Sequence, residues 1–319
     1  MMEMRYNPLT DEWVMISSRR QGRPLSGACP LCPGGDELPE DYDLVSFENR
    51  FPALRRDPPP VENTGSEILK NAPSKGVCEV VVYTSDHNTA LSRMSADQIE
   101  KLIYMWVDRT KELSKYDFVK YIFIFENRGK EVGATISHPH GQLYAFPFIP
   151  KRIQVKLDSM RRWFEKRKRC VICEVIEEEL KRKERIVFEN DSFISLVPYY
   201  ARFPYEVHIY PKRHVDSLLG LSGKEIKDLS ITLKVITAKY DKLFEQEFPY
   251  MMMLFQSPVN YENVSHFFHF HIEIDPPKRD RDKLKWMASV ETGTWSFINP
   301  SVPEESAKAL REVEVEECP

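Results

Sequence analysis

The sequence predicts an α+β fold built from two tandem copies of one unit. The first observation is a Cys-x-x-Cys pair that occurs twice, as Cys29/Cys32 and Cys170/Cys173. The second is that each pair is followed, in the same order, by a strand-like run, a histidine, an amphipathic helical pattern, another strand-like run and a His-x-His. The third is spacing: His87 follows Tyr83 by four positions as His214 follows Tyr210, and Ser95 follows His87 by eight as Ser222 follows His214. Duplication explains this agreement better than chance, and the expected halves are 1–155 and 156–319.

In the first copy, Glu79–Thr84 reads as a strand of β-branched residues ending in Ser-Asp-His87. Ser95-Ala-Asp-Gln98 has the form of a capping box, and Ile99, Leu102, Ile103, Trp106, Val107 and Leu113 fall on one face of the helix that it opens. Phe118–Phe125 is the next strand and leads to His138-Pro-His140-Gly-Gln142. In the second copy the strand is Glu206–Tyr210, and the capping box is Ser222-Gly-Lys-Glu225. The helix face there is Ile226, Leu229, Leu233, Ile236, Tyr240 and Leu243, and Tyr250–Phe255 precedes His269-Phe-His271. Between the copies, Lys151–Arg169 is strongly basic and is expected to be a solvated connecting helix.

Apolar residues at 42% and charged residues at 29% of the 319 are those of a soluble protein, with no apolar run long enough to span a bilayer. The start, MMEMRYNPLTDEW, has charge and proline where a signal peptide needs an apolar stretch, so a cytoplasmic location is expected. A net charge of −4 argues against a nucleic-acid coat protein. Four of the six cysteines fall in the two pairs, which points to metal or redox chemistry rather than to a disulfide framework.

A structural zinc site needs four ligands of nitrogen or sulfur held on a rigid scaffold. Cys29, Cys32, His87 and His138 supply one set; Cys170, Cys173, His214 and His269 supply a second in the same order. A redox couple or a pair of inert buried thiols is the competing reading of each pair. Two zinc ions are therefore the expected cofactors. In an extended segment, positions two apart share a face, so a metal on His138 fixes the strand that presents His140. That makes His140 the working residue, a neutral imidazole able to attack phosphorus. Gly141 lets a phosphate approach the backbone, and Gln142 hydrogen-bonds without titrating. Because a leaving sugar phosphate departs unprotonated, a site with glutamine in place of an acid favours transfer between phosphates over hydrolysis. Arg19, Arg20, Arg23 and Arg128 are candidates for phosphate binding, and Asn49 and Asn127 for a base or ribose. In the second copy Phe270, Ile272 and Glu273 replace Pro139, Gly141 and Gln142, which marks that copy as structural.

CPLC, FENRFPAL, YTSDH, FENRGKEVGATISHPHGQ, VPYYARFPYEVHIYPKRHV and HFFHFHIEIDPP together resemble the galactose-1-phosphate uridylyltransferase family of the histidine-triad superfamily, over nearly the whole chain. The resemblance implies a mainly antiparallel sheet with helices packed on one side, and transfer of UMP from UDP-glucose to galactose 1-phosphate through a covalent uridylyl-histidine. It implies His140 as nucleophile, Gln142 as its hydrogen-bonding companion, and Cys29, Cys32, His87 and His138 as zinc ligands. Arg20, Arg23, Asn49 and Asn127 match nucleotide-binding positions. Lys285, Trp286 and Glu291 match a segment that reaches the sugar phosphate across a dimer interface, so a homodimer is expected. Some members carry iron in the second half; here Lys156 and Phe255 or Gln256 stand near two of its ligand positions, and the second Cys/His set is expected to take its place. That set and the tail 291–313 resemble instead a two-zinc branch that includes ADP-glucose phosphorylase. An adenylyltransferase of that branch is the alternative enzyme, and a zinc-stabilised binding module the alternative outside enzymes.

Overall fold

The computed structural model describes residues 2–18 and 28–315. Its strands are β1 (Met2–Asn7), β2 (Glu12–Ser17), β3 (Val45–Glu48), β4 (Asn71–Pro73), β5 (Val77–Val82), β6 (Tyr121–Arg128), β7 (His140–Phe146), β8 (Ile186–Glu189), β9 (Phe193–Leu196), β10 (Val207–Pro211), β11 (Tyr250–Phe255), β12 (His271–Asp275), β13 (Lys278–Asp280) and β14 (Lys283–Leu284). The helices are α1 (Ala96–Ser114), α2 (Lys151–Arg167), α3 (Val171–Arg182), α4 (Gly223–Leu243), α5 (Ser289–Thr294) and α6 (Pro303–Glu312).

Nine strands form one antiparallel sheet in the order β3-β5-β7-β6-β11-β12-β10-β9-β8. The duplication is visible in this order, because β5-β7-β6 and β10-β12-β11 run outward in mirrored sequence from a central seam. At that seam β6 pairs with β11, Tyr250 opposite Arg128 and Met252 opposite Glu126. The two copies thus share one sheet.

Strand alternation divides each strand between two apolar layers. On one face Ile122, Ile124, Leu143, Leu254 and Ile272 pack against Ile99, Leu102, Ile103 and Trp106 of α1 and Ile226, Leu229, Leu233 and Ile236 of α4. These are the helix faces expected from periodicity, with Val107 and Leu243 only partly buried at the margin. On the other face Tyr121, Tyr144, Phe146, Ile194 and Phe255 meet Ile153, Leu157 and Met160 of α2 and Ile172 and Ile176 of α3. The basic connecting segment is therefore more than a solvated linker: its sparse apolar residues recur at helical spacing and cover the sheet, while most of its cations face outward.

The two helix starts differ. Ser222 and Glu225 form a full reciprocal box, and Arg213 pairs with the Glu225 carboxylate. Ser95 accepts from the Gln98 amide at 3.1 Å, but the Gln98 side chain turns away to donate to the Tyr83 carbonyl and to Asp43, both at 2.9 Å. Half of the expected box is spent on fixing Tyr83. No helix among the described residues is long and apolar enough to cross a membrane.

Replacing Ser222 with alanine removes the cap of a helix whose inner face is core. The expected loss is about 1 kcal/mol in chemical denaturation, and Ser222→Asp, which can still accept from the Glu225 amide, recovers most of it.

Candidate active site

The reactive strand is positioned from three directions. β7 lies between β5 and β6, with His140 opposite Val82, Gly141 opposite Val81 and Gln142 opposite both Val80 and Phe125. His140, Gln142 and Tyr144 therefore share the face away from α1, while Gly141 points toward the helix layer. The His140 Nδ1–H donates to the His138 carbonyl at 2.8 Å. That bond makes Nε2 the unprotonated nitrogen of the neutral ring, as a nucleophile requires.

His140, Gly141 and Gln142 line a cavity of about 370 Å³ together with Asn49, Phe51 and Asn127. Asn49 follows β3 and is buried; its Oδ1 accepts from the Phe51 amide at 2.8 Å, and its Nδ2 donates to Gln142 Oε1 at 3.3 Å. This orientation leaves the Gln142 amide nitrogen as the donor for an anionic oxygen in the cavity. The predicted nucleophile, glutamine, glycine and both asparagines are thus brought together. Arg19, Arg20 and Arg23 lie outside the described residues. Arg128, a candidate for phosphate, is instead locked by Asp241 in two bonds of 2.7 and 3.0 Å. Lys285 and Glu291 pair with each other at 2.7 Å, buried, and with Trp286 they are absent from the lining of this cavity.

Two Cys/His groups are each compact enough to hold a metal ion, with all donor atoms within 4.8 Å of one another. In the first, Sγ to Nδ1 distances are 3.3 Å for Cys32–His87, 3.7 Å for Cys32–His138 and 3.8 Å for Cys29–His138. In the second they are 3.4 Å for Cys173–His214, 3.5 Å for Cys173–His269 and 3.7 Å for Cys170–His269. Ordinary zinc–sulfur and zinc–nitrogen bonds at tetrahedral angles put such atoms about 3.6 Å apart, so both donor sets fit that ion. All four histidines direct Nε2 at an oxygen: Thr84 O for His138, Ser137 Oγ for His87, Pro211 O for His269 and Ser265 O for His214. Such outer bonds fix the tautomer that presents Nδ1 to a metal. Burial presses the His138 pKa down, which favours the neutral, ligating ring.

The comparisons with known proteins agree with this geometry. Residues 1–150 match the family model of galactose-1-phosphate uridyl transferase, N-terminal domain, and residues 156–282 that of its C-terminal domain. The galactose-1-phosphate uridylyltransferase of Thermotoga maritima is 67% identical over 319 residues, covering 99% of this chain and 100% of the relative. The chain belongs to the galactose-1-phosphate uridylyltransferase family. The Haemophilus influenzae member is 36% identical over 90% of this chain and 87% of its own. A solved uridylyltransferase structure superposes with a TM-score of 0.89 at 34% identity, covering 97% of each chain. An Arabidopsis thaliana ADP-glucose phosphorylase superposes at 0.77 with 29% identity, over 99% of this chain and 100% of that one.

In this uridylyltransferase-family chain the second copy keeps the frame of the first and loses its opening. His271 Nδ1 donates to the His269 carbonyl at 2.8 Å, as His140 does to His138. Its Nε2 faces the Lys156 ammonium at 2.6 Å, and Glu273, the counterpart of Gln142, takes ion pairs from Lys156, Arg152 and Arg202. Burial lowers the Lys156 pKa to about 8, and burial and Lys156 together push His271 down to about 3. Phe255 stacks on His271 at 5.0 Å. Lys156 and Phe255, the residues at the two altered ligand positions, thus pack against His271, whose neighbour His269 belongs to the Cys170 group.

Sequence reasoning missed Glu126, although its FENRG segment was singled out. It lies buried on the helix side of β6; Tyr250 donates to its Oε1 at 3.0 Å, and Oε2 has no hydrogen-bond partner among the described residues. Burial pushes its pKa up to about 7, opposed by Arg128 and by the hydroxyls of Tyr250 and Tyr83. A carboxyl with a folded pKa above its unfolded value is most favourable to the fold below about pH 4.5, and its contribution is lost as pH rises to about 7. Relative to Glu126→Gln, wild type should lose on the order of 3 kcal/mol across that window, read from denaturation curves at a series of pH values.

Metal analysis of the purified protein should find two equivalents per chain. Cys32→Ser and Cys173→Ser should each remove one, the first with loss of activity and the second mainly with loss of thermal stability.

Proposed function

We propose that this chain transfers UMP from UDP-glucose to galactose 1-phosphate, giving glucose 1-phosphate and UDP-galactose. The observation that carries the reading is the Nδ1 bond from His140 to the His138 carbonyl, which readies Nε2 in a cavity shared with Gln142 and Asn49. Family membership supports it, since the Thermotoga maritima and Haemophilus influenzae relatives are galactose-1-phosphate uridylyltransferases by name.

In the first half-reaction His140 Nε2 attacks the α-phosphorus of UDP-glucose. The N–P bond forms as the bond to the bridging oxygen breaks, and glucose 1-phosphate leaves with the electron pair, needing no proton because its phosphate is already a stable anion. Gln142 donates to a non-bridging oxygen of the transferred group, and the Gly141 backbone lines the cavity beside it. In the second, a phosphate oxygen of galactose 1-phosphate attacks the same phosphorus and the electron pair returns to Nε2. Asn49 and Asn127 bind the nucleotide, with Arg20 and Arg23 assigned to its phosphates.

Zinc is the metal proposed for both Cys/His groups. When bound, it supplies rigidity rather than chemistry: His138 is a ligand through its ring and the acceptor for His140 through its carbonyl, so the ligand set fixes the nucleophile. Residues 1–155 carry the reaction and 156–319 the second metal group. Trp286, Met287, Trp295 and Ile298 form an exposed apolar segment around the buried Lys285–Glu291 pair. That surface suits a homodimer in which the segment carrying Lys285, Trp286 and Glu291 lies against the partner's sugar-phosphate site. The proposed location is the cytoplasm.

Incubation with UDP-glucose alone should add one uridylyl group to the His140 peptide, visible by mass spectrometry and removed by galactose 1-phosphate. His140→Asn should give no adduct. An adduct formed from ADP-glucose but not from UDP-glucose would overturn this assignment in favour of adenylyl transfer.

A further inference from the structure

We infer that Tyr83, held from below by Glu126 and Tyr250, is a positioning residue that sets the height of His140 in the cavity. The inference rests on the reading of His140 as nucleophile. Tyr83 touches the reactive strand on both sides of that histidine. Its backbone N–H donates to the Pro139 carbonyl at 3.0 Å, one residue before His140. Its hydroxyl lies beneath Gly141, one residue after: a Cβ built there would overlap the Tyr83 oxygen and approach the Phe125 carbonyl to 3.0 Å. Glycine at 141 is thus required from the helix side, quite apart from any phosphate on the other.

The tyrosine is itself immobilised. Its side chain is 1% exposed, its carbonyl accepts from Gln98 of α1, and its ring meets Trp106 edge-on at 6.4 Å between centroids. A buried hydroxyl needs a polar neighbour, and the Glu126 carboxyl is there, with Tyr250 from the second copy on its Oε1. Arg128 adjoins this cluster but is bound to Asp241, so it does not draw the carboxyl away. The result is a stiff column from α1 and β11 through Tyr83 to the backbone that flanks the nucleophile. Misplacing a reacting atom by about 1 Å is enough to cost on the order of a hundredfold in rate.

The test compares Tyr83→Phe, Glu126→Leu and Glu126→Gln with wild type, each first shown to keep its metal content and melting temperature near wild type. Tyr83→Phe and Glu126→Leu should lower kcat and the rate of His140 uridylylation about tenfold or more with KM for UDP-glucose little changed. Glu126→Gln keeps a carbonyl oxygen for the phenols and should restore most of the rate. In the same proteins, NMR of the His140 ring nitrogens should show the Nδ1–H tautomer giving way to a mixture in Tyr83→Phe. Unchanged kcat and an unchanged tautomer in Tyr83→Phe would overturn the inference. If wild type itself forms no adduct, the reading of the reaction fails, and the tautomer measurement still decides whether Tyr83 positions the ring. Gly141→Ala offers a second check: it should destabilise the fold, and adding Tyr83→Phe should recover part of that loss.

Discussion

The arrangement depends on one hydrogen bond, from His140 Nδ1 to the carbonyl of His138. A neutral imidazole has one donor and one acceptor nitrogen, and this bond decides which is which. The carbonyl belongs to a residue whose ring nitrogen sits 3.7 and 3.8 Å from two cysteine sulfurs, in a donor set that fits a tetrahedral ion. Any play in that set would pass directly to the His140 ring. A four-ligand closed site of this kind would leave no position for substrate, and a metal in it would supply only stiffness.

The second copy shows that this bond alone does not make an open site. His271 makes the same bond at the same 2.8 Å, beside its own Cys/His set. What it lacks is access and a neutral neighbour. Glu273 puts a carboxylate where Gln142 has an amide, and a carboxylate would repel the anionic oxygens of a phosphoryl group. Lys156, Arg152 and Arg202 then converge on that carboxylate and fill the space with internal cations. The exchange of glutamine for glutamate and the arrival of the lysine belong together, since neither charge is tolerable in that depth without the other.

Much of this was legible in the sequence, because the informative residues are few and chemically distinctive. Cysteine pairs followed by histidines in matched order have few structural uses, so both Cys/His groups could be assembled before any fold was known. The periodic faces of α1 and α4 were read correctly because burial on one side only leaves a strong pattern. Other features stayed hidden for physical reasons. Gln98 fits a capping box by type and spacing, yet its side chain is taken by the Tyr83 carbonyl, a contact between segments that no local pattern encodes. Arg128 looked available for phosphate until Asp241, more than a hundred residues away, was seen to hold it. Lys156 stands out in the sequence as a departure, but its contacts with Glu273 and His271 exist only because the sheet brings α2 over β12.

The seam between β6 and β11 gives the second copy a use beyond its own metal group. Tyr250 is opposite Arg128 in register, which places its hydroxyl on Glu126 of the first copy. Asp241, from α4, holds Arg128 in two hydrogen bonds beside that same carboxyl. Both contributions come from the second half and converge under the first half's reactive strand. An ionised glutamate there would be costly in so apolar a layer, and the paired arginine and the tyrosine hydroxyl moderate that cost without abolishing it, which is why burial still raises the carboxyl's pKa. A duplicated sheet in which one cavity has closed is therefore still one working unit: the closed half braces the floor on which the open half holds its histidine.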